Sequence, residues 1–152
     1  MERIYLDTSV FGGYFDTEFK EYTKMLFERI MQGKYKILYS RLTDVELSPA
    51  PKRVKDLVLT IPEHRIEIIE IIEDARELAN TYISENVVGK TSMADCIHIA
   101  LATLYDADIL VSWNFKHIVN INKIRGYNSI NYRFVHKILE IRTPREILDY
   151  EE

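Results

Sequence analysis

The sequence is poor in cysteine, glycine and proline. Its 152 residues include a single cysteine, Cys96, together with five glycines and four prolines. One cysteine excludes an intramolecular disulfide and a cysteine-based zinc site, and this usage is typical of a reducing compartment. No apolar run approaches the roughly 20 residues that cross a bilayer, and the N-terminus lacks the layout of a signal peptide. These absences predict a cytoplasmic protein with no membrane partner.

What is present is the composition of an ordinary folded domain. Hydrophobic residues make up 47% of the chain and charged residues 29%. This balance argues against disorder, and the length suits one domain with a substantial core. We therefore expect residues 1–152 to form a single domain.

Acidic residues are missing from one long segment. The net charge of −4 argues at first against a nucleic-acid partner, because such affinity depends largely on Lys and Arg. However, residues 109–139 contain no Asp or Glu, and their five cations are interleaved with aromatic side chains. These cations are Lys116, Lys123, Arg125, Arg133 and Lys137. The combination suits RNA binding, and a solvated helix with core aromatics explains it equally well.

Apolar patterning predicts alternating strands and helices. Short buried strands are expected at 4–6, 35–40, 109–112 and 138–141, and 66–72 is compatible with another. Helices are expected at 19–30, 42–47, 52–59, 75–83, 93–105 and 119–135, and from Thr143-Pro144 onward. Residues 7–13, with Gly12-Gly13, are expected to form a turn. The alternation predicts an α/β domain with a wound, mostly parallel sheet.

Four polar residues are expected at the carboxyl ends of these strands, where ligands of such sheets gather. Asp7 directly follows the first strand, and Asn114 comes two residues after the strand that ends at Ser112. Asp95 lies in the first turn of an apolar helix, and Glu46 lies on the short helix after the second strand. Asp7, Glu46 and Asp95 are therefore candidate catalytic residues.

Three carboxylates in one cleft would repel each other unless their pKa values rise or a cation neutralises them. Oxygen-only ligands favour Mg²⁺ or Mn²⁺, so Asp7, Glu46 and Asp95 are candidate metal ligands. Each also has a simpler explanation, as a turn former, a surface helical acid and a helix cap respectively. Asn114 is the weakest candidate ligand, because Asn after a strand is commonly a turn residue. Asp108 precedes its strand and is expected at the opposite edge.

The neighbouring polar residues receive supporting or structural roles. Ser9 and Ser112 are predicted to orient Asp7, and Thr8 is predicted to cap the turn or share that task. His98 lies on a helix face with apolar residues, which favours a hydrogen-bonded core histidine over a ligand or base. Cys96 is expected to be a small buried apolar residue.

These motifs, in this order, resemble the PIN-domain family, in particular the VapC-like toxins of bacterial and archaeal toxin–antitoxin pairs. The resemblance rests on residues 4–10, on Glu46, on 94–102 and on 108–118. It implies a three-layer α/β/α fold and a Mg²⁺- or Mn²⁺-dependent endoribonuclease, with Asp7, Glu46 and Asp95 matching the acidic ligands. It also implies an antitoxin partner that occludes the acidic cleft, and a homodimer.

One position departs from the family pattern. Many relatives carry a fourth acid where this chain has Asn114. The implied substrate is single-stranded RNA or a structured loop, with Lys116, Lys123, Arg125 and Arg133 as candidate backbone contacts. Two alternatives stay open: a PIN fold that binds RNA or protein without catalysis, and an unrelated doubly wound fold that uses Asp7 as a phosphoacceptor.

Overall fold

A five-stranded, all-parallel sheet forms the centre of the protein. The computed structural model describes residues 1–86 and 91–150. The strands are β1 (Glu2–Leu6), β2 (Tyr35–Ser40), β3 (Ile66–Ile69), β4 (Ile109–Val111) and β5 (Glu140–Arg142). Their order in the sheet is β3-β2-β1-β4-β5, and every neighbouring pair is parallel. The predicted mostly parallel sheet is thus parallel throughout.

Helices connect the strands and cover both faces of the sheet. In chain order they are α1 (Thr8–Gly13), α2 (Lys20–Met31), α3 (Arg41–Leu47), α4 (Lys52–Leu59), α5 (Glu73–Ser84), α6 (Met93–Leu104), α7 (Ile121–Arg133) and α8 (Pro144–Tyr150). A parallel sheet requires such crossover connections, because a tight hairpin can join only antiparallel strands. None of the helices in the described ranges is long and apolar enough to cross a bilayer.

Alternating side chains of the strands build a separate core on each face. Tyr5, Leu38 and Leu110 belong to the cluster that includes α5, α6 and α7. Ile4 and Ile37 belong to the opposite cluster, which includes α1, α2, α4 and α8. Because successive strand residues point to opposite faces, one short apolar run supplies both cores. The predicted three-layer, single-domain α/β/α architecture is confirmed, and residues 151–152 of the predicted domain lie outside the described residues.

The centre of the sheet is the point where the strand order reverses. β1 pairs with β2 on one side and with β4 on the other. Beyond the carboxyl ends of the strands, the backbone N–H of Asp7 donates to the carbonyl of Val111 at 3.0 Å. Such a reversal leaves a crevice between the loops that leave the two strands, which is the usual ligand site of an open α/β sheet. We call this side of the sheet, which carries Asp7 and Ser112, the carboxyl edge.

Two local predictions were wrong. Residues 8–13 form a helix rather than a turn, and the last strand covers Glu140–Arg142 rather than 138–141. Pairing decides the second case, because Glu140 faces Ile109 and Arg142 faces Val111, which leaves Ile138 outside the sheet and half exposed. The ambiguous isoleucine-rich segment is a strand at Ile66–Ile69.

Candidate functional site

Asp7 is held between the two central strands. It is 4% exposed and follows β1 directly. Its Oδ2 accepts hydrogen bonds from Ser9 Oγ at 2.7 Å and from Ser112 Oγ at 2.8 Å. Ser9 Oγ also accepts the backbone N–H of Trp113 at 2.9 Å, which links α1 to the segment after β4. The structure therefore places both predicted supporting serines on Asp7, and they fix one carboxylate oxygen.

Glu46 reaches inward from α3 to two neighbours. Its Oε1 accepts the Thr8 hydroxyl at 2.6 Å and lies 2.6 Å from Nε2 of His98. The same His98 nitrogen is 3.6 Å from Oδ1 of Asp7. His98 is 1% exposed, and its other ring nitrogen contacts the Tyr5 hydroxyl at 2.6 Å. A single imidazole thus stands between two of the predicted acids.

Asp95 lies in the first turn of α6, close enough to Asp7 for their charges to interact. Ser92 caps this helix by accepting the backbone N–H of Asp95 at 3.1 Å. Burial raises the pKa of the Asp95 carboxyl, and the negative charge of Asp7 raises it further. Asp95 therefore lies in an environment that disfavours its negative charge, although the nearby imidazoles of His98 and His117 lessen that effect.

The environment of Glu46 acts in the opposite direction. Burial by itself would raise its pKa, but the hydrogen bond and charge of His98, with the Thr8 hydrogen bond, outweigh burial and lower the pKa of Glu46. Burial also opposes a charge on His98. The hydrogen bond to Glu46 and the charges of Asp7, Glu46 and Asp95 outweigh it and raise the pKa of His98. The surroundings of His98 therefore favour its protonated form more than water does.

The two polar atoms of the Asn114 side chain make different contacts. Its Oδ1 accepts the backbone N–H of His117 at 3.0 Å, which closes a turn after β4. Its Nδ2 faces Oδ1 of Asp95 at 3.4 Å. Because the oxygen is engaged in the turn, Asn114 presents a donor to the acids rather than a ligand atom. This geometry agrees with the simpler of its two predicted roles.

The donor chemistry of this site fits a hard divalent cation. Asp7, Glu46 and Asp95 offer carboxylate oxygens, which Mg²⁺ and Mn²⁺ prefer. Burial raises the pKa of Asp95 and the charge of Asp7 adds to the rise, so a cation bound there would offset a charge that this environment disfavours. Within residues 1–86 and 91–150, however, no three His, Cys, Asp or Glu side chains converge as a ready metal cluster. The residue types therefore fit a cation, and their side chains would have to move closer together to bind it.

Two contacts of the site were not predicted from the sequence. His98 was predicted as a hydrogen-bonded core residue, and it is one, but its partner is the candidate ligand Glu46. Thr8 was considered for Asp7, and it contacts Glu46 instead. The available signal was spacing, since residues three apart on a helix, such as Asp95 and His98, lie on the same face. That signal gives no indication of Glu46, which is 52 residues away.

The predicted RNA-binding cations are spread along α7 and its approach. Lys116 is exposed and follows the Asn114 turn. Lys123, in the first turn of α7, donates to the Thr91 hydroxyl at 2.7 Å. Arg125 is exposed, and Arg133 at the end of α7 pairs with Glu85. At about 1.5 Å per residue, the first and last residues of α7 are about 18 Å apart, so these cations do not form one cluster.

The aromatic residues of the same segment divide into two groups. Trp113 and Tyr127 are buried, in agreement with a core role. Phe115 is 51% exposed and Tyr132 77% exposed, so they present apolar surface to solvent. Phe115 adjoins the acidic site through Asn114, and its ring packs at a tilt on Trp113 with a 6.1 Å centroid separation.

Comparisons with known proteins identify the family and the fold. The PIN domain family matches residues 4–116. No curated protein sequence matches the chain. Solved structures with the same fold include DNA-bound VapBC from Salmonella typhimurium, with 17% identity and a TM-score of 0.61, covering 95% of this chain and 99% of that chain. VapBC2 from Rickettsia felis, bound to a promoter DNA fragment, has 15% identity and a TM-score of 0.57, covering 93% and 98%.

A third similar structure is a toxin alone. VapC20 from Mycobacterium tuberculosis, which is described as cleaving the sarcin–ricin loop, has 12% identity and a TM-score of 0.54, covering 75% of this chain and 92% of that chain. At such identities the structural likeness shows the fold, and the family match covers most of the chain, including Asp7, Glu46 and Asp95. The alternative of an unrelated doubly wound fold is thereby excluded. The chain belongs to the PIN domain family.

Proposed function

We propose that this protein is a metal-dependent endoribonuclease, the toxin of a VapBC-type toxin–antitoxin pair. The observation that carries the proposal is the position of Asp7, buried at the reversal point of the sheet beside Asp95 and Glu46. Carboxylates gathered at that point of an α/β sheet suit a cation and a phosphate ligand. Membership of the PIN family supports the same activity.

Each acid has a defined task in this proposal. Asp7, Glu46 and Asp95 would hold a divalent cation, which would supply positive charge for the scissile phosphate and for activation of water. Asp7 contributes the rigid ligand, because Ser9 and Ser112 hold its Oδ2 and leave Oδ1 directed toward His98. Asp95 contributes a second carboxylate from the first turn of α6. No side-chain nucleophile is needed, since water attacks the phosphate.

The RNA path begins at the carboxyl edge. Lys116 and Phe115 directly follow Asn114, so a cation and an exposed ring adjoin the acids. Single strands and loops expose both backbone and base faces, which these two side chains suit. Lys123 and Arg125 extend the path along the start of α7. Arg133 lies at the far end of α7 and pairs with Glu85, so we expect it to contribute least to RNA binding.

The proposed partner is an antitoxin protein. Two of the similar structures are VapBC complexes with DNA, and a third is FitAcB from Neisseria gonorrhoeae. We propose that an antitoxin covers the acidic cleft and offers a basic side chain to Asp7 and Asp95. A homodimer belongs to the same proposal.

RNA cleavage by the purified chain tests the activity. Single-stranded RNA with Mg²⁺ or Mn²⁺ should be cut, and a chelator should stop cleavage. Asp7→Asn and Asp95→Asn should each lower the rate roughly 10²- to 10³-fold, because stabilisation of transition-state charge by a metal amounts to several kcal/mol. Asp106→Asn is the matched control, since Asp106 is exposed and its positive φ of 54° is tolerated by Asn. Cleavage that survives both site substitutions would disprove the assignment.

A second candidate function is RNA or protein binding without catalysis. It is favoured by the missing convergence of three ligands in the described residues and by the donor that Asn114 presents to Asp95. Tight RNA binding without metal-dependent cleavage across several substrates would select this function over the first.

A further inference from the structure

A chain of hydrogen bonds crosses the protein interior and ends on Glu46. The Tyr5 hydroxyl donates to Ser40 Oγ at 2.8 Å and contacts Nδ1 of His98 at 2.6 Å. The Nε2 atom of His98 then contacts Oε1 of Glu46 at 2.6 Å. Tyr5, Ser40 and His98 are each no more than 1% exposed. These hydrogen bonds therefore lie in the core and are shielded from water up to the Glu46 carboxylate.

These hydrogen bonds reach both ends of α3, the short helix that carries Glu46. Ser40 caps the start of α3 by accepting the backbone N–H of Thr43 at 3.0 Å. Glu46 lies in the last turn of the same helix. Of the seven residues of α3, only Thr43 and Leu47 are buried. Leu47 and Leu42 pack α3 on the two cores, and the hydrogen bonds through Tyr5 and His98 tie both of its ends to β1 and α6.

The buried groups Tyr5 and His98 need these contacts, but the half-exposed Glu46 does not need them to satisfy its own oxygens. A buried tyrosine and histidine need partners, and Ser40 already serves Tyr5. Yet the Glu46 side chain, which is 32% exposed, turns inward to His98 rather than outward to solvent. Thr8 and His98 both contact Oε1, and neither uses Oε2. The contacts thus set the direction of the carboxylate, and no residue in 1–86 or 91–150 donates a hydrogen bond to its Oε2 atom.

We propose that His98 and Tyr5 are positioning residues that aim Glu46 at the candidate site. His98 holds Oε1, and Tyr5 holds His98 against the cap of α3, so that Oε2 is directed toward ligand. This role rests on the proposed function only because that function identifies the ligand as a divalent cation. The hydrogen-bond geometry does not depend on it. Neither residue is assigned contact with RNA.

Two variants of His98 separate positioning from packing. Gln places its amide nitrogen about where Nε2 lies, and Asn places its amide about where Nδ1 lies. His98→Gln therefore keeps a donor for Glu46, whereas His98→Asn keeps only the contact with Tyr5. We expect His98→Asn to weaken Mn²⁺ binding, measured by calorimetry, roughly 10- to 100-fold, the usual cost of losing a partner of a ligand. We expect His98→Gln to restore most of that affinity, and Tyr5→Phe to cause a smaller loss.

Thermal unfolding of the same proteins provides the structural control. Both His98 variants remove a buried ring, so their melting temperatures should fall by similar amounts while their Mn²⁺ affinities differ. Equal Mn²⁺ affinities of the Asn and Gln variants would overturn the proposal. In a Glu46→Gln background, His98→Asn should cause no further loss of Mn²⁺ affinity, because it acts through Glu46. Additive losses would also overturn it.

A nitrogen–proton NMR correlation of the His98 ring tests the geometry without any metal. The wild-type protein should show a slowly exchanging Nε2–H signal, and Glu46→Ala should abolish it while Asp106→Asn leaves it unchanged. If the wild type binds no Mn²⁺ but shows this behaviour, the proposed nuclease fails and the positioning of Glu46 stands. If the signal is indifferent to Glu46→Ala, the positioning role itself is wrong.

Discussion

The two edges of the sheet handle negative charge in opposite ways. At the amino edge, where the strands begin, Asp108 accepts the backbone N–H of Arg3 at 2.8 Å and the Lys137 ammonium at 3.2 Å. The Arg3 guanidinium in turn pairs with Glu67 at 3.1 Å. At the carboxyl edge, Asp7 and Glu46 share one imidazole, and Asp95 interacts with Asp7.

The pKa shifts record this difference. The backbone hydrogen bond from Arg3, aided by Lys137, lowers the pKa of Asp108, whereas burial and the charge of Asp7 raise that of Asp95. Groups whose charge is compensated stabilise the fold, and groups whose charge is left uncompensated are candidates for ligand binding. The amino edge therefore has its negative charge compensated within the protein, and the carboxyl edge is the one for which we propose a cation.

The largest expected effect is stabilisation by a divalent cation at the carboxyl edge alone. Mn²⁺ at about 100 times its dissociation constant should add about 2.7 kcal/mol to the free energy of unfolding, because it binds only the folded state. Differential scanning fluorimetry with and without Mn²⁺ measures the shift. Asp7→Asn should abolish the shift, and Asp108→Asn, at the amino edge, should preserve it. If Mn²⁺ still raised the melting temperature of Asp7→Asn, the proposed difference between the two edges would be wrong.

The next effect concerns RNA affinity along α7. Lys116 adjoins the carboxyl edge, and Arg133 lies at the other end of α7 in an ion pair with Glu85. In an Asp7→Asn background that prevents cleavage, Lys116→Ala should reduce the salt dependence of single-stranded RNA binding by about 0.7 in slope, the value for one lost phosphate contact. Arg133→Ala should change it less. Filter binding at several salt concentrations measures both, and equal effects would place RNA on the whole of α7.

The smallest effect is a pair of stability changes with opposite signs. Asp95→Asn removes a charge that burial disfavours, so it should raise the free energy of unfolding at neutral pH by less than about 1 kcal/mol. Asp108→Asn removes a compensated charge and should lower that free energy. Since solvent screens the exposed Asp108 contacts, its effect is also below about 1 kcal/mol. Urea unfolding measures both, and changes of the same sign would contradict the proposed difference between the edges.

The pH dependence of these variants follows from the same shifts. The raised pKa of Asp95 destabilises the fold at neutral pH, and that cost disappears as the pH falls from the raised value toward the ordinary 3.8. The lowered pKa of Asp108 stabilises the fold above 3.8, and that contribution is lost as the pH falls through the lowered value. Relative to wild type, the advantage of Asp95→Asn should therefore shrink on acidification, and so should the deficit of Asp108→Asn.

Local patterns predicted the layers of the fold and the position of Asp7. Apolar runs too short for helices marked β1, β2 and β4, and Asp7 falls at the carboxyl edge because it directly follows β1. The bounds of α4, Lys52–Leu59, also agree with the prediction, since Pro51 marks where it begins. These features depend on neighbours in sequence, which is why they were accessible.

Contacts between distant residues were not accessible in this way. The acid-free segment suggested an unopposed run of positive charge, yet Glu85 and Asp108, both outside it, pair with Arg133 and Lys137. Likewise, no periodic pattern links His98 to Glu46. Such pairings arise from the packing of α5, α6 and α7 and from the path of α3, which only the folded chain specifies.

The close approach of Gly13 to Trp113 limits how this sequence can vary. A Cβ atom at position 13 would lie 2.7 Å from Cδ1 of the indole. That ring has little freedom to withdraw, because it stacks on Phe19 at 4.5 Å and donates to the Thr23 hydroxyl at 2.9 Å. Its two chain neighbours, Ser112 and Asn114, contact Asp7 and Asp95. Gly13 contacts none of the acids, yet a larger residue there would displace Trp113 and, through its chain neighbours, the residues that contact Asp7 and Asp95. Gly13→Ala should therefore disturb the acidic site while every acidic side chain is kept.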